Sequence, residues 1–405
     1  MERLISGIGL LIMVGSCWVL CPNKKDIKWR TVIMGILLQA VLGFVIMKTQ
    51  MGKDFFQTIG NGITAILGYT QKGSEFIFGP LMDSNKMGGF VFMTMVLPTI
   101  IFMGAFMSVL YHLGIMQKIV SFTAKIMMKA MKTSGSESLS AAANIFVGQT
   151  EAPLVIRPYI ETMTKSEILA LMTGGMATIA GGVLAAYIGL GIDAGHLLAA
   201  SVMSAPAALV CAKLMLPETE ESNTAGDIKI DLPKTATNVI DAAAAGAADG
   251  LKLAANVAAM LLAFIALIAM LNGILGYLGG LVGFQGLSFE LIMSYLFWPV
   301  AFIMGVPVPD CLAVGSLLGK KLVLNEFVAY LDLTKMIGVN SSRAVVISTY
   351  ALCGFSNFSS IAIQIGGIGS LAPSRRGDLV KLGLKSLYAG TVACLMTACI
   401  AGLFI

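Results

Sequence analysis

The sequence predicts an all-α polytopic membrane protein: about eight transmembrane helices, two re-entrant helical hairpins and interfacial helices, organised as an inverted repeat of hairpin, broken helix and helix. Three observations carry this. Of 405 residues, 57% are hydrophobic and only 12% charged, with a mean hydropathy of +0.86, whereas soluble domains carry roughly a quarter charged residues. The apolar residues fall in blocks near the ~20 residues needed to cross a hydrocarbon core. Two further segments are apolar on both sides of a polar centre holding one carboxylate. A soluble enzyme is excluded at once. The net charge of +5 is no footprint of a nucleic-acid polymer, because Lys and Arg cluster at the ends of apolar blocks. Two His and scattered Cys17, Cys21, Cys211, Cys311, Cys353, Cys394 and Cys399 give neither a CxxC pair nor a metal cluster, so no enzyme chemistry and no cofactor are expected.

The spans follow in order. Residues 4–20 form the first block. Cys21-Pro22 and a basic run make a poor signal-cleavage site, so this block reads as a span. Further spans are expected at 31–47, 89–112, 167–190, 193–216, 251–282, 344–370 and 379–405. Lys24, Lys25, Lys28 and Arg30 follow the first block, Lys118, Lys125, Lys129 and Lys132 the third, and Arg375 and Arg376 precede the last. The positive-inside rule places all three clusters in the cytoplasm and both termini outside. Residues 54–80 and 115–132 have broken apolar periodicity and read as interfacial helices. Residues 218–250, with Glu218, Glu220, Glu221, Asp227 and Asp231, read as one extended polar loop. Residues 288–306, short and containing Pro299, fit either a span or a shorter insertion.

The hairpins are expected at 138–160, around Gly148-Gln149-Thr150-Glu151-Ala152-Pro153, and at 309–336, around Asn325-Glu326-Phe327. A charge at mid-bilayer costs about 2.5–3.5 kcal/mol on insertion scales, so such a centre is tolerated only at a tip buried in protein or facing water. Each hairpin precedes a span interrupted by small and polar residues, Thr173 to Gly182 in one case and Cys353 to Ser360 in the other. Paired interrupted helices related by inversion meet near the midplane and build the binding site. The chain then divides into 1–112 (mainly scaffold), 113–216 (first repeat), 217–306 (polar loop and long scaffold helix) and 307–405 (second repeat).

Single residues carry bland readings too. Glu151 also fits a helix-start acid in a surface loop, and Asn144 a helix–helix hydrogen bond rather than an amide ligand for a hard cation. Asn357 and Ser360 also fit a kinked helix satisfied through side-chain to backbone bonds. Lys320 and Lys321 read as snorkelling or paired, and Phe355 alone as core. Together, Gln, Thr, Asn, Ser and two Glu with one aromatic make a donor- and acceptor-rich, neutral-to-acidic site suited to a sugar and a heterocyclic base edge.

Three motifs carry a family resemblance: Ala142-Ala143-Asn144-Ile145-Phe146-Val147-Gly148-Gln149-Thr150-Glu151-Ala152-Pro153-Leu154, Asn325-Glu326-Phe327-Val328-Ala329-Tyr330, and Ala351-Leu352-Cys353-Gly354-Phe355-Ser356-Asn357-Phe358-Ser359-Ser360-Ile361. On these the chain resembles the concentrative nucleoside transporters of the bacterial, sodium-coupled type, and the likeness runs essentially end to end. The resemblance implies a homotrimer in an inner membrane, each protomer with a scaffold and a mobile transport domain. It implies that Gln149, Thr150 and Glu151 face the nucleobase with Val183, that Glu326, Asn357 and Ser360 hold the ribose, and that Phe355 packs on the nucleoside. It places sodium at Asn144, the Val147 carbonyl, Thr178 and the Ile179 carbonyl. Thr178 stands where many members have Ser, which keeps the hydroxyl; Ser356 replaces a more usual Ala.

The expected function is therefore secondary active transport, a sodium-coupled symport of uridine-like nucleosides into the cell by an elevator-type alternating access. The alternatives are a proton-coupled nucleoside transporter, since Glu151 and Glu326 can both titrate, and more remotely a channel-type permease for another polar solute.

Overall fold

The computed structural model describes residues 1–82, 91–224 and 236–405. Its described residues are helices and connecting turns, without strands. Residues 89–90 of the third expected span, and Asp227 and Asp231 of the expected polar loop, lie outside the described residues.

By length and composition seven helical stretches can cross a membrane: Glu2–Val19, Trp29–Lys48, Phe92–His112, Lys165–Gly189, Ala194–Met215, Val239–Leu281 and Pro373–Phe404. The seventh expected span, the broken helix at 344–370, is interrupted within its Cys353–Ser360 stretch. It divides into Ser342–Leu352 and Phe358–Leu371, since residues 353–357 leave helical geometry and neither half alone has the length of a span. Lys165–Ala177 and Gly181–Gly189 are likewise two pieces with a shorter break between them. The expected polar loop at 218–250 is too long. Asn238 caps a helix by accepting the Asp241 N–H at 2.9 Å, and the Ala-rich run joins a single 43-residue helix, Val239–Leu281. Alanine is the best helix former, so this run continues the span instead of interrupting it. Phe289–Ile303, with Pro299 inside, has 15 residues, about 22 Å at 1.5 Å per residue, short of a ~30 Å hydrocarbon core.

The helices sort into an inner and an outer group. In Lys165–Gly189 and Ala194–Met215, 89% of the apolar stretch is buried within the protein, whereas in Val239–Leu281 only 6% is. The inner helices are rich in Ala, Gly and Ser, which lets backbones approach closely. In the outer group, the long helix crosses Phe92–His112 at Gly246 and Gly250. A Cβ on Gly246 would lie 2.4 Å from the Gly104 carbonyl oxygen, and one on Gly250 2.8 Å from the Ile101 Cα.

The three basic clusters gather at one end. Lys28 and Lys132 line one cleft together with Glu218, and the Thr31 hydroxyl donates to the Met131 carbonyl at 2.9 Å. Arg375 donates to the Met163 carbonyl at 2.5 Å, beside Thr164, whose hydroxyl donates to Glu218 at 2.8 Å. Lys213 pins this end from within, 2.6 Å from Glu137 and 3.2 Å from Glu218. The two chain ends meet elsewhere, where Arg3 donates to the Ile405 carbonyl at 2.5 Å.

The two breaks touch. A Cβ on Gly354 would lie 2.8 Å from the Met176 carbonyl oxygen and 2.9 Å from the Ala177 carbonyl carbon. Both neighbours are backbone, so nothing can rotate aside. Gly354→Ala is expected to lower stability by about 1–3 kcal/mol, the usual cost of overpacking, read as a drop in Tm in detergent. Gly366→Ala, with nothing within 4 Å of its Cβ, should leave Tm nearly unchanged.

Candidate functional site

The first hairpin begins with a capping box. The Ser134 N–H donates to Glu137 at 2.7 Å, and the wholly buried helix Gly135–Ala143 follows. It ends at Asn144, and residues 144–151 turn back tightly, with the Ala152 N–H reaching the Gly148 carbonyl at 3.0 Å. A Cβ on Gly148 would lie 2.3 Å from the Glu151 carboxylate and 3.1 Å from the Ala180 Cβ, so any larger residue would displace Glu151. The turn is stitched to the first broken helix by the Gly181 N–H, which donates to the Phe146 carbonyl at 3.0 Å.

The second hairpin pairs Cys311–Val323 with Glu326–Met336. Asn325 caps the returning helix, accepting the Val328 N–H at 3.0 Å, and so fixes Glu326 in its first turn. Asn357 does the same for Phe358–Leu371, its side-chain oxygen accepting the Ser360 N–H at 2.9 Å and the Ser359 hydroxyl at 2.7 Å. At its base, Asp310 accepts from Asn340 at 2.7 Å and from the Ser341 hydroxyl at 2.5 Å, tying the hairpin to the second broken helix.

These elements assemble one polar chain across the interior. Glu326, buried, accepts from the Tyr187 hydroxyl at 3.0 Å and from the Asn357 amide at 3.2 Å. The Ser360 hydroxyl accepts from the Gln149 amide at 3.1 Å. Gln364 then donates to the Gln149 side-chain oxygen at 3.1 Å and to the Met172 carbonyl at 2.9 Å. Thr150 lies over Gly367, where a Cβ would come within 3.0 Å of its methyl group. Ser360, Gln364 and Gly367 share one helix face at i, i+4 and i+7. The first hairpin's tip therefore docks on the second broken helix, and Glu326 of the second hairpin reaches Tyr187 on the first.

Two of the expected cation ligands, Asn144 and Thr178, lie beside Gly174. Its carbonyl accepts from the Thr178 hydroxyl at 2.9 Å, and a Cβ at Gly174 would lie 3.2 Å from the Asn144 amide nitrogen. That nitrogen donates to the Ser140 carbonyl at 3.1 Å, while the Asn144 side-chain oxygen is buried and has no hydrogen-bond partner among the described residues. A buried acceptor without a donor suits a hard cation. Ile179 follows in the break, fully buried, and Val147 lies in the hairpin turn.

Not every expected site residue joins this chain. Glu151 points the other way, into a cavity of about 330 Å³ between the first hairpin and the outer helices, lined also by Tyr111, His112, Gln117 and Asp249. Val183 is buried on Gly181–Gly189, and Phe355 is half-buried at the second break. Sequence reasoning missed Tyr187 and Gln364. The only available signal for Gln364 was an amide in an otherwise apolar helix half, and a lone Tyr such as Tyr187 ordinarily reads as interfacial.

Three family models cover nearly the whole chain. Residues 8–81 match the N-terminal part of the Na+ dependent nucleoside transporters and residues 196–402 the C-terminal part; residues 93–193 match a nucleoside-recognition region. The chain belongs to the Na+ dependent nucleoside transporter family, and it is a multi-pass membrane protein. Among its relatives, the uncharacterized transporter YutK of Bacillus subtilis is 48% identical, over 98% of both chains. Sodium/nucleoside cotransporter 1 of Homo sapiens is 46% identical over 99% of this chain, which spans 64% of that protein's length. The solved structure of CNTnw in an inward-facing, substrate-bound state superposes with a TM-score of 0.95 at 44% identity, covering 100% of this chain and 98% of the other. An outward-facing variant of CNTnw superposes with a TM-score of 0.95 at 43% identity, over 100% of this chain and 98% of that one.

Tyr187→Phe removes one donor from a buried carboxylate. Hydrogen bonds to charged groups contribute about 1.5–3 kcal/mol, so the variant should lose stability of that order, read as a drop in Tm in detergent.

Proposed function

We propose that the chain is a sodium-coupled symporter carrying uridine-like nucleosides into the cell. The observation that carries the reading is the buried chain Tyr187–Glu326–Asn357, Ser360–Gln149–Gln364, set beside the unpartnered Asn144 oxygen. Glu326 as acceptor and Asn357 as donor, 3.2 Å apart, are suited to vicinal ribose hydroxyls, with Ser360 adjoining. Gln149 and Thr150 offer an amide and a hydroxyl to the edge of a nucleobase, with Val183 and Phe355 as its apolar walls; Glu151, which faces the neighbouring cavity, would have to turn toward the substrate to add its carboxylate. Nucleoside entry then exchanges hydrogen bonds within the chain for hydrogen bonds to the substrate, which costs little while no buried polar group is left bare.

Sodium would be held by Asn144, the Val147 carbonyl, Thr178 and the Ile179 carbonyl. This site shares its turn with Gln149, and its break is bonded to the Phe355 N–H through the Thr178 carbonyl, so binding the ion would order the substrate groups. Coupling of that kind is reciprocal: each ligand raises the other's affinity by one factor. One charge moving through 100 mV supplies about 2.3 kcal/mol, close to a fifty-fold gradient before any sodium gradient is counted.

The buried group, residues 113–216 and 307–405, would move as the transport domain against a scaffold of residues 1–112 and 217–306, carrying the site across like an elevator. The scaffold is suited to a homotrimer. Its long helix exposes Leu262, Ile265, Met270, Ile274, Tyr277 and Leu281, more apolar surface than one protomer covers. The gathered basic clusters support an inner-membrane orientation with that end in the cytoplasm and both termini outside.

The test is uridine binding to purified protein titrated with sodium, against potassium at equal ionic strength, at two pH values. Sodium should raise affinity, and Asn144→Ala should abolish the dependence while weakening binding. Asn357→Ala should weaken nucleoside binding and leave direct sodium binding measurable. Binding that ignores sodium and follows pH would instead indicate proton coupling. Glu326→Gln should reduce uptake into proteoliposomes severely with the oligomer intact, and nucleosides without ribose hydroxyls should compete poorly.

A further inference from the structure

Lys321 has no part in the reading above, although it is among the most deeply placed cations in the molecule. It lies on Cys311–Val323, the incoming helix of the second hairpin, and is 3% exposed. Its neighbour Lys320 is paired with Asp332 and Glu290; Lys321 makes no ion pair among the described residues. Its ammonium donates to the Ala351 carbonyl at 2.8 Å. Ala351 is the penultimate residue of Ser342–Leu352. Its carbonyl is one of the last four of that half-helix, without an intrahelical donor and at the negative end of the helix dipole.

The first broken helix presents the same kind of terminus. Lys165–Ala177 ends at the break, and the incoming helix of the first hairpin sets against it not a cation but Asn144, whose buried oxygen lacks a donor. Two half-helix C-termini, each facing the incoming helix of a hairpin, thus need positive charge. One is offered an acceptor that suits a hard cation, the other an ammonium already in place.

We propose that Lys321 is a tethered cation, serving the second break as sodium serves the first, and that it limits coupling to one sodium per nucleoside. The proposal rests on the sodium-symport reading. Because the ammonium stays on the protein and returns with it, it neutralises the half-helix end near Glu326 and Asn357 without adding to the charge carried per cycle.

The experiment measures, in proteoliposomes, the sodium dependence of uridine uptake and the charge moved per uridine from the voltage at which net flux vanishes. The wild-type protein should give a Hill coefficient near one and one charge per uridine. Lys321→Ala opens the place to a free cation; uptake should fall at low sodium, recover at high sodium with a Hill coefficient above one, and carry more than one charge per uridine. Lys321→Arg, keeping the charge, should retain the wild-type coefficient. Two charges per uridine in the wild type would overturn the proposal whatever the variants do. So would Lys321→Ala with reduced or unchanged uptake and an unaltered coefficient and charge ratio. Should Lys321→Ala not fold, the wild-type ratio and Lys321→Arg decide. Wild-type uptake indifferent to sodium would instead remove the symport reading itself, which distinguishes the two failures.

Discussion

The Phe355 N–H donates to the Thr178 carbonyl at 3.1 Å, and most of the site's geometry depends on that one backbone bond. It ties the unwound stretch of one broken helix to that of the other. Unwinding a helix inside a membrane frees amides and carbonyls that water cannot satisfy. Here each break supplies partners for the other. Gly354 makes the approach possible, and Gly390, where a Cβ would meet the Met176 Cβ at 2.3 Å, brings Arg376–Phe404 against the same place. Thr178, a candidate cation ligand, and Phe355, a candidate substrate wall, are thereby neighbours by construction. A change at either is transmitted through one peptide group rather than through a loose chain of contacts.

Every side chain of the polar chain has at least one partner, and the one buried polar atom in it left without any among the described residues is the Gln364 side-chain oxygen. Glu326 alone in this interior would be costly; Tyr187 and Asn357 make it tolerable. The hairpins also interlock with the opposite repeat, Gln149 with Ser360 and Gln364, Glu326 with Tyr187. Neither hairpin can withdraw without leaving polar groups of the other repeat bare.

Much of this architecture was legible from the chain alone, because its signals are local. Hydrophobic block length fixed most spans, and a carboxylate between apolar flanks marked both hairpins at Glu151 and Glu326. The Gly-, Ser- and Asn-rich stretches marked both breaks. What was misread depended on non-local information. The Ala-rich run after Asn238 reads as loop with the acidic stretch before it, although alanine itself favours helix; its close crossing with Gly104 shows what that helix packs on. Tyr187 and Gln364 gain their meaning from partners 139 and 215 residues away, distances at which periodicity says nothing. The separation of Glu151 from Glu326, one facing the outer cavity and the other buried, was equally invisible, since both sit in similar flanks.

The 43-residue helix Val239–Leu281 is about 65 Å long at 1.5 Å per residue, twice the ~30 Å of a hydrocarbon core. Held wholly within that layer it would lean at roughly 60° from the normal, far beyond the ~20° average tilt. Its first turns carry Asp241, Asp249 and Lys252, the last two with side chains 76% exposed, so this part of the helix is suited to standing beyond the hydrocarbon. The same rod that crosses the membrane then serves as a lever arm in the water or headgroup layer, rigidly continuous with its buried half.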